Sequence, residues 1–455
     1  MISPSVYKKI IRAMLLIPVA VLIAGGVYFY IYRNDYFVEH PGDGIAYSAV
    51  ILAVLLIYIA LSRHLIKILD QNQLPNWKPI SLHSLFAVIS LAAIIYGSFM
   101  SYFPLAAMHY NTEPLLTWAT DQDPRSSITI MWRTASLRNS IVLYGLSENN
   151  LDQNITIQES VEWHRVSLDG LTPNMRYYYQ IAGTAIGKTY SFLTAPSTAT
   201  NFTFVVMSDL RQNSGLEATL TQPNVPKYAM ETLQKQGLQP AFTIICGDIT
   251  RHALEITTWR SFFDDVSLSG LSTTAAVQIS PGNHERGQNI TGEIFADYFP
   301  YTNRPEFYYS FNYSSVHVLS LDPFNQTSGG WGTFSTTQLA WAENDLANCV
   351  NMPYVIVTLH PPPVDDNGVV EIYKPLVELC DKYNVDAVFF GHDHDFDVYS
   401  YNGTQYCLIG VGGNTGSDES EFVQVNVTSV EMVIQMQWVN GTTQVMTTIS
   451  SESGH

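Results

Sequence analysis

Cysteine is scarce in this chain: Cys246, Cys349, Cys380 and Cys407 are the four among 455 residues. No two stand at zinc-finger spacing, which excludes a thiolate metal site of that kind. Cys246 lies inside an apolar run and reads as a small buried hydrophobe. The other three leave a disulfide open, and with it the redox compartment. Charge is scarce as well. Only 14% of the residues are charged, and 22 basic residues face 40 acidic ones, a net charge of −18. So low a charged fraction points to lipid around part of the chain. The deficit of basic residues argues against a nucleic-acid partner, whose phosphates need a cationic face. Apolar residues are plentiful, at 46%, enough for more than one core over this length.

Much of that apolar content comes first. Residues 1–105 hold three long hydrophobic stretches, about 13–32, 45–66 and 80–103. Each is near the ~20 residues that cross a bilayer as a helix. Tyr28, Tyr30, Tyr32, Trp77 and Tyr102 stand near their ends, where interfacial aromatics sit. The first stretch is too long, and lacks the small-residue cleavage site, for a signal peptide. Lys8, Lys9 and Arg12 precede it, and Arg63, Lys67 and Lys78 lie between the second and third. The positive-inside rule therefore puts the N-terminus in the cytoplasm and everything after the third crossing outside the cell membrane. Asn-x-Ser/Thr sequons at Asn154, Asn201, Asn289, Asn312, Asn325, Asn402, Asn426 and Asn440 all fall in that outer part, as in a surface glycoprotein.

From residue 113 to 197 the pattern alternates with period two. "SITIMWRT", "SIVLYG", "EWHRVSLDG", "RYYYQIAG" and "KTYSFLTAP" are short strands separated by turn residues, which predicts an antiparallel β-sandwich. From 201 to 450 the grammar changes again. "FTFVVMSD" ends at Asp209, "AFTIICGD" at Asp248 and "AAVQISPGN" at Asn283. "VHVLSLD" ends at Asp322, "PYVIVTLH" at His360 and "VDAVFFGH" at His392, with His394 two residues on. Continuous apolar runs of this length are strands buried on both faces. Helical patterns lie between several of them. "FSTTQLAWAENDLAN" offers Ser335 as N-cap with Gln338 three residues later, a capping box. Strands alternating with helices predict α/β layering, with ligands gathered at the carboxyl ends of the strands.

One strand ending in Asp is an ordinary turn signal. Five ends that carry Asp, Asp, Asn, His and His are a common chemistry. Carboxylates brought together without a counter-charge repel one another, and cations remove the conflict. Oxygen and imidazole donors without thiolate suit Mn, Fe, Zn or Mg.

These same residues carry a resemblance. "GD" at 247–248, "GNHE" at 282–285, "LHPPP" at 359–363 and "GHDH" at 391–394 resemble the calcineurin-like metallophosphoesterases in order and spacing. "WHRVSLDGLTPNMRYYYQI", 163–181, is similar to the N-terminal sandwich of purple acid phosphatases, a fibronectin III-like domain. The resemblance implies a four-layer αββα sandwich that hydrolyses phosphomonoesters or phosphodiesters with two divalent or trivalent metal ions. In it Asp248 bridges both ions, Asn283, His360 and His392 hold one, and Asp209 and His394 hold the other. His284 contacts the phosphate and protonates the leaving oxygen, oriented by Glu285 or another carboxylate.

Two positions depart from the family pattern. Arg211 stands where the family has a ligand histidine, and Arg251 where purple acid phosphatases have a ligand tyrosine. A guanidinium stays protonated and cannot ligate. Three arrangements are compatible: water or a residue such as His252 completes the shell, one ion binds weakly, or an arginine faces the substrate phosphate. Both arginines also suit ordinary salt bridges. The rival function is a catalytically weakened surface receptor on the same fold.

Overall fold

A computed structural model describes residues 112–451, apart from 183–187, 211–223, 287–291, 302–305, 325–331 and 411–419. The three expected membrane stretches lie outside the described residues. Among the described residues no helix is long and apolar enough to cross a membrane.

The N-terminal part is built from β1 (Leu115–Thr117), β2 (Ile128–Gly145), β3 (Gln153–Leu168), β4 (Arg176–Ile181) and β5 (Tyr190–Leu193). "SITIMWRT" and "SIVLYG", read above as separate strands, form the single 18-residue β2. The segment between them stays extended because β3 pairs along both halves, with register shifts between Arg133, Arg138 and Ser140. Such bulges bend a strand without ending it. The first half of β2 also pairs with β1 and the second half with β4. The two arms of the sandwich are therefore joined into one five-stranded sheet through β2.

The remainder contains two six-stranded sheets. The chain runs through β6 (Phe202–Met207), α1 (Val225–Lys235), β7 (Pro240–Ile245), α2 (Ile256–Leu268), α3 (Leu271–Thr274) and β8 (Ala276–Ile279). It continues with α4 (Asn283–Arg286), α5 (Glu293–Tyr298), β9 (Tyr309–Tyr313), β10 (Val316–Ser320), α6 (Thr336–Asn348) and β11 (Tyr354–Thr358). A small hairpin, β12 (Val364–Asp365) and β13 (Gly368–Val369), precedes α7 (Lys374–Lys382) and β14 (Ala387–Phe390). Last come β15 (Asp397–Tyr401), β16 (Thr404–Leu408), β17 (Glu421–Val427), β18 (Glu431–Trp438) and β19 (Thr443–Ser450). One sheet has the order β19-β18-β17-β6-β7-β8, the other β15-β16-β14-β11-β10-β9. Strands β6, β7 and β8 are parallel, as are β10, β11, β14 and β16.

Period-two packing explains why these strands are apolar throughout. On β11 and β14, Ile356 and Phe389 face the core that also holds Phe204 and Phe242 of the first sheet. Their neighbours Val357, Val388 and Phe390 pack with Leu346 of α6 and Leu376 of α7. On the other side, α1 buries Val225, Ala229, Met230 and Leu233. The order is thus helix, sheet, sheet, helix. Phe204 and Phe242 stack across adjacent strands with centroids 4.7 Å apart, and Phe311 of the second sheet meets Phe242 edge-on at 5.4 Å.

Local signals act mostly as read. Ser335 Oγ accepts from the Gln338 backbone N–H at 3.0 Å and starts α6. The Gln338 side chain does not close a capping box. It is buried and clamps the backbone of Asp322 instead, accepting from its N–H at 2.8 Å and donating to its carbonyl at 2.7 Å. Pro375 sits in the first turn of α7, where its missing N–H costs nothing. All four cysteines are buried and free, so no disulfide forms.

The N-terminal sheet docks on the helices and on β8. Gln278 of β8 donates to Thr117 Oγ1 at 3.1 Å and to the Trp118 carbonyl at 3.2 Å. Tyr179 donates to the Thr273 carbonyl at 2.9 Å, and Trp163 Nε1 to that of Tyr298 at 3.1 Å. Trp163 also packs against the Tyr298 ring. Tyr298, Phe299 and Tyr301 are buried in this cluster rather than lining a cleft.

Candidate functional site

The carboxyl ends of β6, β7, β8, β11 and β14 converge. Four residues just past these ends have positive φ: Asp209 (53°), Asp248 (51°), His392 (81°) and His394 (55°). For non-glycine residues this costs free energy and concentrates at sites where side-chain aim matters. Adjacent glycines make room. A Cβ on Gly391 would collide with Ser208 Oγ and Asp209 Oδ2, and one on Gly282 with Asp248.

Ligand atoms of Asp209, Asp248 and His360 all lie within 4.8 Å of one another. His360 Nε2 is 3.2 Å from Asp248 Oδ1 and 3.0 Å from Asn283 Oδ1. His392 Nδ1 is 2.9 Å from the same Asn283 oxygen. His394 Nε2 is 3.2 Å from Asp209 Oδ1. The six residues expected at the metals are therefore one connected cluster. His360 Nδ1 donates to the Cys246 carbonyl at 2.6 Å, which fixes its ring and leaves Nε2 facing the carboxylates.

His284 stands at the edge of the cluster, with Nε2 3.7 Å from Asp248 Oδ2. Its Nδ1 donates to the backbone carbonyl of Arg251. The group orienting this ring is thus a carbonyl. Glu285, expected to orient it, is engaged elsewhere. Its fully buried carboxylate accepts from the N–H groups of Asp248 (2.9 Å), Thr250 (2.9 Å) and Gly282 (2.8 Å) and from Thr250 Oγ1 (3.0 Å). It ties the loop after β7 to the loop after β8.

A profile of the calcineurin-like phosphoesterases matches residues 202–396, and one of the purple acid phosphatase N-terminal domain matches 114–194. The chain carries a calcineurin-like phosphoesterase domain behind a purple acid phosphatase N-terminal domain. Probable purple acid phosphatase 20 of Arabidopsis thaliana is 26% identical over 63% of this chain and 71% of its own length. Probable inactive purple acid phosphatase 24 of the same plant is 25% identical over 57% of this chain and 50% of its own length. The chain spans 64% and 58% of two further relatives, purple acid phosphatases 23 and 21. A purple acid phosphatase from yellow lupin seeds shares the fold, with a TM-score of 0.60 at 18% identity over 75% of this chain and 74% of that one.

The phosphoesterase domain has the electrostatics of a cation site. Asp209 Oδ1 is buried and, although His394 Nε2 lies 3.2 Å away, accepts no hydrogen bond, an arrangement that a cation shared by the two would satisfy. Burial works against a proton on His360, but Asp248, Asp209 and the Cys246 carbonyl outweigh it and raise its pKa to about 9. The carboxylates thus recruit positive charge even in the form of a proton. Burial, then the neighbouring His360, pushes His392 down. Burial and Asp248 lift Glu285 to about 7 against its N–H donors. The donor set of carboxylates, imidazoles and one amide, without thiolate, fits the hard and borderline cations expected above.

Other expected residues fall as follows. Arg211 lies outside the described residues. Arg251 is buried beside His284, with its carbonyl on the His284 ring. His252 is buried but does not join the Asp209, Asp248 and His360 group. Asp393, between the two histidines of "GHDH", is exposed. The sequence reading missed Ser208, whose Oγ lies 2.8 Å from Asp209 Oδ2 and 2.9 Å from the Cys246 carbonyl. It also missed Thr250. Neither has a distinctive local signal: Thr250 acts on Glu285, 35 residues on, and Ser208 joins its neighbour Asp209 to the Cys246 carbonyl, 38 residues on.

Proposed function

We propose that this protein is a metal-dependent phosphoric ester hydrolase, anchored in the cell membrane by its N-terminal stretches with the phosphoesterase domain outside. The observation that carries the catalytic reading is the convergence of Asp209, Asp248 and His360 within 4.8 Å, with Asn283, His392 and His394 in contact. The lipid bilayer is the partner of residues 1–105, and the three apolar stretches with their flanking charges support this. Exposure of Asn154, Asn201, Asn312, Asn402 and Asn440 agrees with an outward, glycosylated surface.

When bound, cations held by Asp209, Asp248, Asn283, His360, His392 and His394 supply Lewis acidity and lower the pKa of water for attack on phosphorus. The chain's own groups do the rest. His360 keeps its Nδ1 proton on the Cys246 carbonyl, so Nε2 is the atom offered to the cluster. His284 keeps Nδ1–H on the Arg251 carbonyl, so Nε2, 3.7 Å from Asp248 Oδ2, is the nitrogen that holds a proton and passes it to the leaving oxygen. Arg251 and Arg211 add positive charge for the phosphate oxygens.

Arginine at the place of the family's tyrosine ligand favours the second reading, a binding protein with a weakened site. One assay separates the two. Purified full-length protein loaded with Mn, Zn or Fe is offered aryl phosphomonoesters and diesters, beside Asp248→Asn and His284→Ala. Hydrolysis that falls ~10²–10⁴-fold in His284→Ala supports the enzyme. No turnover by the metal-loaded wild type supports the receptor. A protease added to intact cells tests the topology, which falls if the C-terminal region stays protected.

A further inference from the structure

Asp322 ends β10 as Asp209 and Asp248 end β6 and β7, yet it is not part of the candidate metal cluster. Both its oxygens are taken by backbone N–H groups, Oδ1 by Phe324 and Oδ2 by Phe307, each at 3.0 Å. Its counter-charge is a side chain: Arg286 Nη2 lies 3.5 Å from Oδ2, with the two side chains 2% and 0% exposed. Arg286 Nη2 also donates to the Phe324 carbonyl at 3.0 Å, and the guanidinium sits over the Phe307 ring at 5.1 Å. Gly292, with φ of 63°, leaves no room to spare, because a Cβ there would strike Arg286 Nη1 and Phe307.

Arg286 is the last residue of the one-turn helix α4, which presents Asn283 and His284. Its Nε and Nη1 are buried without a hydrogen bond. A buried, incompletely satisfied ion pair is a weak source of stability, and an apolar side chain of similar length fills such a space at less cost. What the guanidinium adds is direction, since Nη2 engages the Phe324 carbonyl and the Asp322 carboxylate at once. The turn is thus fastened on two sides: Glu285 to the loops after β7 and β8, and Arg286 to the end of β10, whose backbone Gln338 clamps.

We infer that Arg286 is a positioning residue for His284. Through Asp322 and the Phe324 carbonyl it holds α4 so that the His284 ring stays on the Arg251 carbonyl with Nε2 towards Asp248. Its consequence for turnover rests on the phosphoesterase reading; the geometric claim does not.

The test uses the full chain in detergent, comparing wild type with Arg286→Lys and with the double variant Arg286→Met/Asp322→Asn, which leaves no lone buried carboxylate. Diethylpyrocarbonate labelling of His284 is followed by peptide mass spectrometry, with the buried His164 and His317 as internal references. The double variant is expected to change the His284 labelling rate by roughly threefold or more while the references stay put, with Arg286→Lys in between. In the same variant, turnover of a phenyl ester should fall roughly tenfold more than that of a dinitrophenyl ester, because only the poorer leaving group needs the His284 proton. An unchanged His284 rate, or an equal rise at all three histidines, overturns the inference. If wild type hydrolyses neither ester while His284 labelling changes selectively, the phosphoesterase reading falls and the positioning role stands.

Discussion

Replacing Glu285 by glutamine separates two roles that the "GNHE" motif leaves open. The carboxylate accepts four hydrogen bonds, two on each oxygen, from Asp248 and Gly282 on Oε2 and from Thr250 twice on Oε1. Glutamine keeps one acceptor oxygen and turns an NH₂ towards the other pair of donors. Two buried donors then lose their acceptor, at ~1–3 kcal/mol each, so Glu285→Gln should destabilise the protein by about 2–6 kcal/mol. Glu285→Ala strands three backbone N–H groups and should cost about 3–9 kcal/mol. The upper end approaches the whole stability of an ordinary domain, ~5–15 kcal/mol. Urea melts of wild type and variant in the same detergent read this directly, provided the slopes agree. A midpoint unchanged in Glu285→Gln, together with reduced turnover, would refute the reasoning and return Glu285 to the role of orienting His284.

Three further outcomes are expected. Phe242→Ala, which removes a fully buried ring stacked on Phe204 and meeting Phe311, should cost about 3–5 kcal/mol, read as a lowered unfolding midpoint. Gly391→Ala pushes a methyl into Ser208 and Asp209, and should lower retained metal more than it lowers the melting temperature; the reverse order contradicts the geometry. All four cysteines are buried, and burial pushes the thiols of Cys349, Cys380 and Cys407 up to about 12 and that of Cys246 up as well. A thiol reagent should therefore find no reactive cysteine in the native protein and four in denaturant, and fast native labelling at neutral pH would contradict this.

How far the sequence is legible depends on how local the governing physics is. The strands that end in Asp209, Asp248, His360 and His392 announce themselves, because a strand buried on both faces must be apolar until it emerges. Ser335 is equally plain, since a cap acts on its own helix. The continuity of β2 is not legible, because "ASLRN" reads as a turn until β3 supplies its partners. The capping-box reading of Gln338 fails for a similar reason: its partners, Asp322 and Glu306, lie outside the helix. Asp322 shares the strand-end pattern of the cluster, and only tertiary structure gives it Arg286 as counter-ion. The same holds for Glu285, whose four donors come from segments far apart in the chain or on its own turn.

Elemental analysis of the purified full chain after desalting, beside Asp209→Asn and Asp248→Asn, meets the central claim most directly. The account predicts about two tightly held cations per wild-type chain and a clear loss in both variants, because these carboxylates supply the charge that the cluster offers a metal. Wild-type protein that retains no cation, or variants that retain as much as wild type, would contradict it.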